Sequence, residues 1–216
     1  MIDKNSIDYS LYVIIDQDWI RDKDLVKLTE EIVCNGATIL QYRNKSGCGS
    51  QFYENAGLIH KVSKSYQIPL IINDRADIAM AVDAEGVHVG QEDMPISAAR
   101  QLIGSEKLLG LSISYINELS SIGDADYLGV GAVFPTDTKL DAEFGGIQLM
   151  KQVHEHCDLP LVGIGGIDFE NTDQVIHAGA EGVAVISVIL NAEDPGAAAK
   201  QMVGIVRQIK QDLFNA

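Results

Sequence analysis

Residues 69–93 read PLIINDRADIAMAVDAEGVHVGQED. Pro69–Ile72 is apolar with no polar alternation, which is how a strand reads when both of its faces are covered. Asn73-Asp74-Arg75 ends that run, and a short helix is expected after Arg75. A second apolar run, Gly86–Val89, follows and ends in Gln91–Asp93. A buried strand, polar residues at its end and a helix that returns the chain to the next strand make a parallel βα unit.

The same unit recurs on either side. Upstream, Leu11–Ile15 is strand-like and Asp22–Asn35 carries Leu25, Leu28, Ile32 and Val33 at helical spacing, with Asn35-Gly36 as its C-terminal stop. Thr38–Tyr42 is the next run, followed by a Gly-containing polar loop and a helix over Gln51–Tyr66. Downstream come a helix near Pro95–Ile103, runs at Lys107–Ser112 and Asp126–Gly131, a helix over Gly146–His156, and runs at Pro160–Ile164 and Gly182–Ile186. A doubly wound open sheet and a (β/α)8 TIM barrel both accept this alternation. About eight units in 216 residues favour a closed parallel TIM barrel with few insertions. With no linker, charge block or low-complexity tract, residues 1–216 read as a single TIM-barrel domain.

Composition limits the partners. Sixteen Lys+Arg against 31 Asp+Glu give a net charge of −15, which argues against nucleic acid or an anionic membrane surface. An apolar fraction of 46% with 22% charged residues is that of a folded soluble chain. Cys34, Cys48 and Cys157 lack paired spacing and read as free thiols of a reducing compartment. Met1–Ser10 is polar, and no apolar run reaches the roughly 18 residues of a membrane span, so a cytoplasmic location is expected. An anionic substrate would then need local positive charge.

In such a barrel the chemistry sits at the C-terminal strand ends. Gln41, Arg43 and Lys45 alternate after the second run and suit a diphosphate; two solvated charges in a loop are the plain alternative. Asp74 and Asp93 follow neighbouring runs. They suit Mg2+ completed by water and phosphate oxygens, or else each caps the next helix; Glu92 is a competing ligand. Pro135-Thr136-Asp137-Thr138-Lys139 offers hydroxyls and an ammonium to an anion, or is a surface turn. Gly163–Ile167 and Val185-Ile186-Ser187 end the last two strands, where barrels often bind phosphate on backbone N–H groups. His154, His156 and Cys157 imitate metal ligands, yet side chains two apart on a helix do not converge. His60 and His177 read as helix-surface residues, and His88 as a buried, hydrogen-bonded barrel residue.

Taken together, these segments resemble the thiamine phosphate synthase family. The resemblance is carried by Ile39–Lys45, Ile71–Arg75, Gly86–Asp93, Asp126–Gly131, Phe134–Lys139, Gly163–Ile167 and Gly179–Ser187, in order along nearly the whole chain. It implies a transferase on a TIM barrel that joins hydroxymethylpyrimidine diphosphate to a thiazole phosphate or its carboxylated form, releasing pyrophosphate. The implied diphosphate site is Gln41, Tyr42, Arg43, Asn44, Lys45, Asn73, Ser112 and Lys139, with catalysis resting on Arg43, Lys45, Ser112 and Lys139. The implied Mg2+ ligands are Asp74 and Asp93. The implied thiazole phosphate site is Thr136, Asp137, Thr138, Gly166, Ile186 and Ser187. The implied partners are small phosphorylated substrates, with no nucleic acid and no membrane; a homodimer is left open.

Two segments depart from the family pattern. Ser112 is followed by Ile113-Ser114-Tyr115 where the family usually has a small residue, His and Thr, and Gly131-Ala132 stands where it usually has Gly-Pro. The competing readings are a thiazole tautomerase-like isomerase on the same barrel and a non-catalytic regulator that binds thiazole phosphate. The acidic pair and Thr136-Asp137-Thr138-Lys139 favour the synthase over both.

Overall fold

A computed structural model describes residues 3–136 and 145–215. Eight parallel strands close on themselves: β1 Leu11–Asp16, β2 Ile39–Arg43, β3 Leu70–Asn73, β4 Gly86–Val89, β5 Leu108–Ile113, β6 Tyr127–Val130, β7 Leu161–Ile164 and β8 Gly182–Val185. β8 pairs with β1 through Leu11↔Val183 and Val13↔Val185, so the expected TIM barrel holds and the open sheet is excluded.

The sequence pattern follows from two cores. Inside the barrel, Tyr12, Ile39, Ile71, Leu108, Tyr127 and Val162 pack against one another. Outside, Leu40, Ile72, Val87, Leu109 and Leu128 pack beneath the helices. The strands are therefore largely apolar on both faces, with polar residues gathered toward their C-terminal ends and the rim. A fully buried Ile or Leu of this kind contributes about 1.5–3 kcal/mol.

The helices among the described residues are α1 Gln17–Ile20, α2 Leu25–Cys34, α3 Gly49–Ser65, α4 Ala76–Ala81, α5 Ile96–Ile103, α6 Gly146–His156, α7 Thr172–His177, α8 Ser187–Leu190 and α9 Pro195–Phe214. Local chemistry sets several ends. Asp24 accepts from Lys27 N at 2.9 Å to start α2, and Asp194 accepts from Ala197 N at 2.8 Å to start α9, with Pro195 opening that helix. After α2, Asn35 and Gly36 return their N–H groups to Ile32 and Val33, as the Asn-Gly stop predicts. Between β5 and β6 the chain makes a 3-10 turn, Ile116–Ser121, in place of an α-helix. The Ser120 and Ser121 hydroxyls donate back to Asn117 O and Glu118 O, both at 2.8 Å, and compete with helical pairing.

His60 corrects the surface expectation. It is 7% exposed, and its Nε2 lies 3.2 Å from Glu85 Oε1 while Glu85 Oε2 accepts from Leu70 N. The pair ties α3 to the start of β3, a tertiary contact that helix periodicity does not reveal. Among the described residues no helix is long and apolar enough to cross a membrane.

Candidate active site

The C-terminal strand ends surround a cavity of about 640 Å3, within the usual range for small-molecule sites. Gln41, Arg43 and Lys45 all line it, because alternate residues of β2 and its extension share one face. Gln41 is buried and donates from Nε2 to the Tyr12 hydroxyl at 2.8 Å. Arg43 donates to Asp16, whose carboxylate has no solvent exposure. Lys45 reaches across to Asp74, Nζ to Oδ2 2.5 Å.

The residues between them point the other way. Tyr42 lies in the outer core, edge-on to Phe52, and donates to Gln17 Oε1 at 2.7 Å. Asn44 is 8% exposed and accepts from Gly47 N at 2.7 Å, which shapes the turn after β2. Neither lines the cavity, so the structure places Tyr42 and Asn44 behind the diphosphate contacts expected of them. The alternation that brings Arg43 inward turns its neighbours outward.

Asn73 and Asp74 line the cavity beside Arg43 and Lys45, at the end of the neighbouring strand β3. Asp74 has φ +60°, a left-handed conformation that Asp tolerates better than most residues, and it starts the turn into α4 through its backbone carbonyl. The N-cap positions of α4 and α5 are Arg75 and Pro95, not Asp74 and Asp93. Asp93 Oδ2 accepts from Gly90 N at 2.8 Å, and its carboxyl lies within hydrogen-bonding reach of Asp74. Burial pushes the Asp74 carboxyl up from its ordinary value. Lys45 pulls it down and Asp93 pushes it up, and the net direction is upward. Glu92 is exposed and lies outside the cavity.

Two adjacent carboxylates in one wall could hold a hard dication that takes its other ligands from water and phosphate. Among the described residues no third His, Cys, Asp or Glu joins them, so they do not form an all-protein cage.

Ser112 lines the cavity from β5, with Oγ 2.9 Å from His88 Nε2. Thr136 lines it after β6; Asp137, Thr138 and Lys139 lie outside the described residues. Gly166, Ile186 and Ser187 line the far side, after β7 and β8. Gly166 has φ +63°, and a Cβ there would meet the Pro135 carbonyl and lie 2.8 Å from Phe134 Cβ. Phe134 N donates to Gly165 O at 3.0 Å, so the glycine pair holds the loop after β6 against the loop after β7.

Residues 11–189 match the family model described as thiamine monophosphate synthase. The chain belongs to the thiamine monophosphate synthase family. It is 43% identical over 210 residues to the thiamine-phosphate synthase of Clostridium tetani, covering 96% of this chain and all of that protein. It is 42% identical over 190 residues to that of Persephonella marina, covering 87% of this chain and 91% of the relative. Among solved structures, thiamine phosphate pyrophosphorylase from Pyrococcus furiosus superposes with a TM-score of 0.86 at 34% identity, covering 94% of this chain and 98% of that one.

In this barrel, several cavity residues carry no clear sequence signal. Asp16, which holds Arg43 from the end of β1 without lining the cavity, is a strand-end carboxylate of the kind that singles out Asp74. Trp19 sits on four-residue α1, too short to show periodicity. Tyr12 and Tyr127 lie near the starts of β1 and β6, where an inward tyrosine reads like an outward one. Ser114, in the departing segment after Ser112, also lines the cavity, whereas Tyr115 is exposed.

Proposed function

We propose that this chain couples 4-amino-2-methyl-5-hydroxymethylpyrimidine diphosphate to a thiazole phosphate, free or carboxylated, forming thiamine phosphate and releasing pyrophosphate. The observation that carries the reading is one cavity wall holding Arg43, Lys45 and the Asp74–Asp93 carboxyl pair, in a chain whose net charge is −15. Such a chain would repel a diphosphate everywhere except where cations are gathered.

Arg43, held rigid by Asp16, offers its remaining guanidinium donors to the diphosphate, and Lys45 adds a mobile ammonium. Asn73 and Ser112 add neutral donors. By family resemblance Lys139 adds a third cation, while Thr136, Asp137, Thr138, Gly166, Ile186 and Ser187 seat the thiazole phosphate on the far side. Asp74 and Asp93 fit Mg2+, and bound there it would supply positive charge to the departing pyrophosphate.

The chemistry needs no protein nucleophile. The carbon–oxygen bond to the diphosphate breaks and its electron pair leaves with pyrophosphate. The pyrimidine amino group donates into the resulting cationic carbon. The thiazole nitrogen lone pair then forms the new carbon–nitrogen bond; with the carboxylated substrate, CO2 also departs. Arg43, Lys45 and Lys139 stabilise charge on the leaving group, and the two phosphate sites hold the reacting atoms together, so positioning and electrostatics carry the rate. A single domain spanning 1–216 in the cytoplasm is part of this reading. Its test is chromatography of a mixture of the two substrates, Mg2+ and protein. Equimolar thiamine phosphate and pyrophosphate are expected; binding of both substrates without either product would sink it.

A further inference from the structure

A line of polar side chains crosses the barrel interior where the core is otherwise apolar. Gln41 Nε2 donates to the Tyr12 hydroxyl at 2.8 Å, and the Tyr12 and Tyr127 hydroxyls are 2.9 Å apart. The Tyr127 hydroxyl lies 3.1 Å from His88 Nδ1, and His88 Nε2 lies 2.9 Å from Ser112 Oγ. Five residues from β2, β1, β6, β4 and β5, all of them lining the cavity, thus link one side of it to another.

The strands are built around it. A Cβ on Gly110 would overlap His88 Nδ1 and the Tyr127 hydroxyl, and one on Gly129 would come within 3.0 Å of His88 Cε1. The two rings lie with centroids 5.6 Å apart in the space those glycines leave.

We propose that this chain of hydrogen bonds holds His88 in its Nε2–H form and thereby turns the Ser112 hydroxyl proton into the cavity, making Tyr127 and His88 positioning residues. The direction follows from the ends. The Gln41 amide nitrogen can only donate, so the single Tyr12 proton passes on to Tyr127. Burial keeps both phenols protonated. The Tyr127 proton goes to His88 Nδ1, so the neutral ring carries its own on Nε2 and gives it to Ser112 Oγ. Ser112, already accepting, has its proton left for a ligand in the cavity. An anionic leaving group needs a donor at that point. The opposite order would present a hydroxyl lone pair and repel it.

The inference rests on the functional reading only for what Ser112 contacts; the tautomer itself is a property of the free protein. The test has two readouts on the full chain. Nitrogen-15 imidazole spectra, with His88 assigned by its loss in His88→Gln, should show Nε2 protonated and Nδ1 bare at neutral pH. Tyr127→Phe, which keeps the ring, should abolish that preference. In the coupling reaction Tyr127→Phe should lower kcat about tenfold, the worth of one hydrogen bond, with little change in KM. Added to Ser112→Ala it should cost nothing further. Should Tyr127→Phe fail to fold, Tyr12→Phe, which removes the donor that turns the Tyr127 proton toward His88, should weaken the same preference and lower kcat by less. An Nδ1–H ring in the unaltered protein, or multiplying effects of Tyr127→Phe and Ser112→Ala, overturns the proposal. Absence of pyrophosphate release by the unaltered protein would instead sink the functional reading and leave the spectra standing.

Discussion

Arg43 and Asp16 are register partners at the ends of β2 and β1, and the guanidinium donates to a carboxylate that solvent does not reach. The other Asp16 oxygen accepts from Asp18 N at 3.0 Å and starts α1. Arg43 is thus clamped between a structural anion on one side and the cavity on the other.

That arrangement separates the two basic residues of β2. Arg43→Ala would strand a buried carboxylate and should destabilise the fold by about 3–5 kcal/mol, besides lowering turnover. Lys45 is half exposed at its side of the pair with Asp74, so Lys45→Ala should change stability by no more than about 1 kcal/mol while turnover falls. Denaturant unfolding beside steady-state rates checks both. Equal stability losses would contradict the assigned difference.

Asp74 should show a trade between function and stability. Burial and the facing Asp93 outweigh Lys45 and push its carboxyl upward, so the ionised group is a net cost to the metal-free fold. The folded state holds that proton more tightly than the unfolded chain. The cost is therefore complete at neutral pH and disappears as the pH falls below the ordinary carboxylate value. Asp74→Asn keeps the left-handed residue tolerable and removes the charge. Its melting temperature without metal should exceed that of the unaltered protein at pH 7 and match it near pH 3. Mg2+ should raise the melting temperature of the unaltered protein but not of the variant.

Gly166→Ala should act on the second substrate. A methyl group at φ +63° would push against Pro135 and Phe134 and part the loops after β6 and β7. KM for the thiazole phosphate should rise about tenfold or more, with KM for the pyrimidine diphosphate little changed. Initial-rate kinetics with each substrate varied in turn decides it.

Lys139→Ala, at a position carried over from the family, should cut turnover by about 10²–10³, the usual cost of removing a donor from developing charge. Its unfolding midpoint should stay put. A variant that loses activity only in proportion to lost folded protein would count against the role.

The sequence made the barrel legible because the strands are largely apolar on both faces, and runs such as Leu70-Ile71-Ile72 match the observed strands to within a residue or so. It made the rim legible because a charged residue after such a run has few structural reasons to be there. In the sequence Asp74 and Asp93 read equally as ligand or cap; in the fold the N-cap positions of α4 and α5 are Arg75 and Pro95. The limits were tertiary. Whether Tyr42 faces in or out depends on strand phase, and His60 beside Glu85 depends on a contact 25 residues apart. The Gln41-to-Ser112 chain joins five strands, and no local pattern announces it.

In the proposed reaction, cationic residues and a carboxylate-bound dication stabilise a departing diphosphate. The direct measurement is pyrophosphate release from hydroxymethylpyrimidine diphosphate and thiazole phosphate, at limiting Mg2+ and with chelator, by the unaltered protein and by Asp93→Ala. Release that is abolished by chelator and restored by Mg2+, with Asp93→Ala strongly impaired at limiting metal, is the predicted result. Chelator-insensitive turnover, or normal turnover by Asp93→Ala at limiting Mg2+, would contradict it.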